Sequence, residues 1–168
     1  MKIIEAITNT MSLADGSVFD TPPEFAIVVP VNTMGVPRAG LAKEVATRYP
    51  EWAQRYRKAF RPGGAVAGEM VCLHYIAECE RRFWVSLPTK THWMDSTPAS
   101  VVEAGLELMT DILAHAHPRW RGVPLAVPAP GCGLGGAKWE DIYPLLVKHL
   151  GMIDRRVILF RPFRPPVY

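Results

Sequence analysis

Hydrophobic positions alternate between two-residue and helical spacing along this chain, and the switches mark its elements. Ile3–Thr8 alternates loosely and predicts a strand, Asp15-Gly16 a turn, and Ser17-Val18-Phe19 a short strand. Phe25–Val31 is a β-branched apolar run of the kind buried on both faces of an α/β sheet. After a loop over Asn32–Arg38, Leu41, Ala42, Val45, Ala46 and Tyr49 share one face of a helix. Pro50 breaks that helix, and Glu51–Phe60 forms a second with Trp52, Ala53, Tyr56 and Phe60 inward.

After the turn Arg61–Gly64, the β-rich runs Met70–Ala77 and Phe83–Pro88 flank a charged turn, Glu78–Arg82, and predict a hairpin. Thr97-Pro98 reads as an N-cap followed by proline at the first helical position. The helix it opens runs to about Ala116 and buries Val101, Val102, Leu106, Met109, Ile112 and Leu113. Val123–Val127 is a strand, Trp139–Leu150 a helix capped by Gly151, and Val157–Phe160 a last strand closing the sheet. Strands alternating with helices predict an α/β fold, a mixed sheet with helices on both faces.

The 168 residues suit one domain, with no internal repeat or linker. A hydrophobic share of 49% with 21% charged residues is ordinary for a globular protein. No apolar run reaches membrane-spanning length, and Glu5 interrupts what would be a signal-peptide core, so a cytoplasmic location is expected. Three cysteines without a CxxC pair argue against a disulfide framework. Cys72, His74 and Cys79 lack the paired spacing of structural zinc, and His115 and His117 suit a solvated helix end. The net charge of +3 comes with basic clusters at Arg55–Lys58, Arg119-Trp120-Arg121 and Arg155-Arg156. They are readable as strand contacts, with Trp120 stacking on a base, or more plainly as solvated faces and turns.

Candidate chemistry gathers in three segments. Gly131-Cys132-Gly133-Leu134-Gly135-Gly136 stands between a strand and a helix, where glycines let backbone N–H groups approach a phosphate closely. Asn32 ends a buried strand, the usual edge for ligands in an α/β sheet, and its carboxamide can donate to and accept from sugar hydroxyls, or simply turn the chain. Lys90, in Pro88-Thr89-Lys90-Thr91-His92-Trp93, also follows a strand. In a partly closed pocket it is a candidate nucleophile or proton donor, and otherwise a surface lysine.

These blocks, Val31–Val36, Pro88–Trp93 and Gly131–Trp139, together resemble the macrodomain family, and within it the DarG-type macrodomains, over about residues 16–150. The resemblance implies a three-layer α/β/α sandwich forming a single macrodomain over 1–168, with the N-terminal strand as an addition. It implies ADP-ribosyl glycohydrolase activity on thymine-linked ADP-ribose in single-stranded DNA, with Lys90 catalytic, Asn32 holding the ribose, and no metal or cofactor. Ser17, Val18, Asn32, Thr33, Gly35, Gly40 and Leu41 would bind ADP-ribose together with Gly131, Cys132, Gly133, Leu134, Gly135 and Gly136. A monomer with a DarT-like toxin as partner is also implied.

The chain departs from the family at Ser17, where an aspartate usually meets the adenine, and at Val29, where the strand usually carries a first asparagine. Gly135 stands where related lysine-dependent enzymes place an aspartate, so a Lys/Asp pair is not expected. Arg38 adds a candidate phosphate contact. The alternatives are a non-catalytic module binding ADP-ribose or a related NAD-derived nucleotide, and a phosphatase for ADP-ribose 1″-phosphate, which has no need of Lys90.

Overall fold

The computed structural model describes residues 1–77 and 82–162. Its strands are β1 (Lys2–Ala6), β2 (Met11–Asp15), β3 (Ala26–Asn32), β4 (Cys72–Ile76), β5 (Arg82–Lys90), β6 (Leu125–Val127) and β7 (Val157–Phe160). Its α-helices are α1 (Gly40–Arg48), α2 (Pro50–Ala59), α3 (Ala99–Ala114) and α4 (Trp139–Leu150). The strands form one mixed sheet in the order β1-β2-β7-β6-β3-β5-β4. The five inner strands run parallel, and the edge strands β1 and β4 are antiparallel to their neighbours.

Period-two alternation distributes the core between two layers. Ala26 and Val28 of β3, with Val85 and Leu87 of β5, face Val102, Leu106 and Met109 of α3 and Ile142, Leu146 and Leu150 of α4. Ile27, Val29 and Val31, with Trp84, face Val45 of α1 and Trp52 and Tyr56 of α2. A fully buried aliphatic side chain contributes roughly 1.5–3 kcal/mol, so each layer is held by many independent terms. This is the expected three-layer sandwich.

Several local expectations are corrected. Ser17–Phe19 is not a strand: Val18–Asp20 is a 3-10 turn. Ser17 caps it by accepting from the Phe19 N–H, and the Asp20 carboxylate accepts from the Ser17 N–H. This Ser-x-x-Asp capping box outweighs the β propensity of Val18 and Phe19. The segment before it, Met11–Asp15, is a strand without an exposed residue. Strand β7 does not close the sheet; it lies between β2 and β6, and β1 forms that edge with its residues exposed. Helix α3 starts at Ala99 and stops at Ala114, and Thr97 does not cap it; Pro98 holds the cap position without a side-chain bond. Val101 and Ile112 are only partly buried. The antiparallel pairing of β4 and β5 matches the expected hairpin, whose turn lies outside the described residues apart from Arg82.

The basic Arg119-Trp120-Arg121 cluster is a turn over the core. Trp120 is buried with its ring edge-on to Phe83, and the Arg119 guanidinium lies over Tyr75. Arg155 donates to the carbonyls of Trp120, Val123 and Leu113. These groups serve the fold, and Trp120 cannot stack on a base.

Candidate active site

The carboxyl ends of the parallel strands β3, β5 and β6 share one edge of the sheet, and the loops leaving them converge there. In β3 and β5, Val31 pairs with Pro88, but Asn32 pairs with Lys90. The one-residue shift leaves Thr89 as a bulge and brings Lys90 level with Asn32. A cavity of about 500 Å³ opens at this edge.

The wall beyond β3 is organised by Asn32. Its Oδ1 accepts from the Met34 and Val36 N–H groups at 3.0 and 3.3 Å, and its Nδ2 donates to the Val36 carbonyl at 2.9 Å. The Tyr56 hydroxyl lies 2.7 Å from the Asn32 carbonyl and 3.0 Å from Oδ1. Burial pushes the Tyr56 phenol far above its ordinary pKa, so it remains a donor. Gly35 has φ +71°, and a Cβ there would fall 2.2 Å from the Phe60 carbonyl, so the loop presses directly onto the end of α2. Thr33 fastens it to the other wall, its N–H reaching the Lys90 and Thr91 carbonyls at 3.2 Å.

Helix α1 then points its N-terminus at the cavity. Ala39 gives no side-chain cap, the first turn carries no acidic residue, and Gly40, Leu41 and Ala42 all line the space beside Arg38. Open first-turn N–H groups with an adjacent guanidinium form an anion site. The helix after the glycine loop does not play this part: the first turn of α4 carries Glu140 and Asp141 and lies outside the cavity lining.

The glycine loop forms the facing wall. It is braced by Cys132 N–H to the Ala129 carbonyl, Gly136 N–H to Gly133 and Ala137 N–H to Gly131. Thr97 lies beneath it, donating its N–H to the Gly135 carbonyl at 2.8 Å. A Cβ on Gly135 would stand 2.3 Å from the Thr97 hydroxyl, and one on Gly131 2.5 Å from its methyl. The loop therefore needs glycine at these positions for packing as well as for ligand approach. Among the described residues no acceptor meets the Gly133, Leu134 or Gly135 N–H groups.

Of the expected residues, Asn32, Gly40, Leu41, Lys90, Gly131, Gly133, Leu134 and Gly135 line the cavity together. Thr33, Gly35, Cys132 and Gly136 belong to the same loops but stand behind its surface. Ser17 and Val18 are not part of this lining. Cys132 is half-buried, and burial with the nearby Glu140 raises its thiol to about 11, so it is not a thiolate near neutral pH. Arg38 is at the cavity as suggested, Thr89 and Trp93 of the Pro88–Trp93 block line it with Lys90, and Met94 joins them. The Pro-Thr-Lys-x-His-Trp spacing was the available signal for Trp93. The Lys90 ammonium reaches the Trp93 carbonyl at 3.4 Å.

The metal candidates separate. Cys72 and His74 are neighbours on the α2 side of β4, and Cys79 lies outside the described residues. His115 bonds back to the Asp111 carbonyl, while His117 accepts from Arg119 N–H. Among the described residues Glu103, Glu107 and His149 do converge, between α3 and the last turn of α4. There Lys148 already meets Glu103 at 2.8 Å as part of an ion-pair clamp between the helices.

No protein-family model matches the chain. A fusion protein of Thermosipho africanus, named as a DNA ADP-ribosyl transferase joined to a DNA ADP-ribosyl glycohydrolase, is 27% identical over 93% of the chain and 43% of its own length. The DNA ADP-ribosyl glycohydrolase of Mycobacterium tuberculosis is 31% identical over 82% of the chain and 38% of its own length. The chain thus spans about two-fifths of the curated relatives it matches. Among solved structures, Thermosipho africanus DarTG in complex with ADP-ribose superposes with a TM-score of 0.82 at 27% identity, over 96% of this chain and 44% of that one. The Mycobacterium tuberculosis DarG macrodomain gives 0.80 at 26% identity, over 91% of this chain and 98% of that one. The sheet order, the cavity at its carboxyl edge and these superpositions define the chain as a macrodomain. Within that fold it belongs to the DarG type.

Proposed function

We propose that this macrodomain hydrolyses the N-glycosidic bond between ADP-ribose and a thymine of single-stranded DNA, with Lys90 as the catalytic residue. One observation carries the reading. Among the described residues lining the cavity there is no carboxylate, imidazole or thiol, and beside the Thr89 hydroxyl and the Arg38 guanidinium the Lys90 amine is the group best suited to give up a proton or attack a carbon. The name of the Mycobacterium tuberculosis relative supports the same reaction.

In this reading the diphosphate lies between the α1 N-terminus and the N–H groups of 133–135, with Arg38 at one side. The distal ribose then extends toward Asn32 and Lys90. Asn32 acts mainly by fixing its own loop, and its second Nδ2 hydrogen is the one offered to the ribose. A water oxygen bonds to ribose C1″ while the C1″–N bond breaks. The bond's electron pair goes to the departing base, which takes a proton from the Lys90 ammonium, and the attacking water's surplus proton returns to the Lys90 amine. By the other route the Lys90 amine bonds to C1″ as the C1″–N bond breaks, and the base leaves with that bond's electron pair and a proton from the amine. The ribose ring oxygen then leaves C1″ with the remaining amine proton to give an imine, and water hydrolyses the imine to free the sugar and the amine. The transferase half of the Thermosipho africanus relative supports a DarT-like enzyme as the source of the substrate and as a partner.

The test is release of ADP-ribose from an oligonucleotide modified on one thymine. Wild type is expected to release it and Lys90→Ala to bind it unchanged. Borohydride during turnover captures an adduct on Lys90 if the imine route operates. Binding without release by folded wild type would make this an ADP-ribose-binding module instead.

A further inference from the structure

Exposed apolar side chains collect at one place on the cavity. Trp93 and Met94, 43% and 69% exposed, stand on the side of Lys90, and Leu134, 76% exposed, on the glycine loop. All three line the same opening as Lys90. Indole and thioether groups left in water beside a polar phosphate cradle have a cost that a ligand can relieve.

The Trp93 turn is built, not frayed. The His92 N–H donates to the Asp95 carboxylate at 2.7 Å, and the Asp95 N–H to the His92 carbonyl at 3.0 Å. His92 Nδ1 accepts from the Met94 N–H at 3.2 Å, and its ring lies 5.4 Å from the Trp93 ring. The indole thus stands beside the His92 ring, and the Trp93 carbonyl ties this turn to the Lys90 ammonium.

We infer that Trp93 is the specificity-determining residue for the group that leaves: its indole stacks on the nucleobase carrying the ADP-ribose. This rests on the proposed reaction at Lys90. The reacting C1″ must lie beside Lys90, so the group attached to it passes the Trp93 turn on its way to solvent. A nucleobase is flat and offers a π face to the indole, whereas an aliphatic side chain of a modified protein does not. Among the described residues the lining holds Arg38 and Lys90 and no acid, which suits a polyanionic strand. A base within a duplex has both faces covered, so the platform selects single-stranded or extruded bases.

The experiment uses Lys90→Ala protein, in which the substrate stays intact, and compares a thymine-modified single-stranded oligonucleotide with free ADP-ribose. Adding Trp93→Ala is expected to weaken the oligonucleotide about tenfold and free ADP-ribose less than about twofold, with Trp93→Phe restoring most of the loss. With Lys90 present, Trp93→Ala should raise KM by a similar factor and leave kcat within about twofold, because the carbonyl that meets Lys90 belongs to the backbone. Equal loss for both ligands, no loss for either, or an oligonucleotide bound no tighter than ADP-ribose would each overturn the assignment. These binding results stand apart from turnover. If wild type releases nothing, the proposed hydrolysis fails while the stacking role is still decided.

Discussion

The Tyr56 hydroxyl of α2 donates to the carbonyl of Asn32 at the end of β3, over 2.7 Å. The buried face of α2 thereby holds the residue that shapes one wall of the cavity. Tyr56→Phe removes the donor and leaves a buried acceptor short of a partner, at a cost of about 1–3 kcal/mol. Urea unfolding should show that loss, and calorimetry a several-fold weaker grip on ADP-ribose as the 32–36 loop loosens. Unchanged stability would mean that the Asn32 carbonyl finds another donor.

Gly133 and Gly135 separate packing from ligand approach. A Cβ on Gly133 meets nothing within 4 Å, whereas one on Gly135 meets the Thr97 hydroxyl at 2.3 Å and the Gly131 carbonyl at 2.6 Å. Gly135→Ala is therefore expected to destabilise the fold by about 1–3 kcal/mol. Gly133→Ala should leave thermal stability within about 0.5 kcal/mol of wild type and still weaken ADP-ribose, because its methyl enters the cradle. If Gly133→Ala binds normally, the phosphates do not approach the loop there.

Period-two and helical patterning made most of the fold legible, because burial dictates both. Phe25–Val31 reads as a buried strand, Phe83–Pro88 as a β-rich run, and the face Trp52, Ala53, Tyr56 and Phe60 as a helix stripe. Strand order was not legible: β7 reaches the sheet interior through parallel pairing with β2 and β6, which no local pattern encodes. At the site, the glycines, Asn32 and Lys90 stood out by residue type. The bulge at Thr89 that levels Lys90 with Asn32 is a register event between distant strands. The role of Thr97 beneath the glycine loop is likewise tertiary, and locally Thr97-Pro98 looks like a helix cap.

Arg38 stands beside the uncapped start of α1, where its guanidinium adds to the helix dipole. Arg38→Ala is expected to weaken ADP-ribose about tenfold at low salt, in line with a charge-assisted contact to phosphate. The deficit should shrink in 0.5 M salt, because an exposed charge is screened. Titrations at two ionic strengths check this, and a deficit independent of salt would assign Arg38 a packing role.

His74 supplies a pH signature away from the site. It lies on β4 facing α2, and its Nε2 is buried without a partner. Burial, with the Arg55 charge nearby, lowers its pKa from the ordinary 6.5 to about 4. As pH falls below about 6.5 the unfolded chain takes up this proton while the folded protein does not, so stability drops until the folded pKa near 4 is reached. The limb amounts to at most about 3 kcal/mol. His74→Phe keeps an aromatic of similar size on the strand and removes the titration. Urea unfolding at pH 7.5 and 4.5 should show wild type losing more stability than His74→Phe, while the carboxylates that titrate in both proteins cancel in the comparison. Equal losses in the two proteins would mean that His74 takes up its proton in the folded state as readily as in the unfolded one.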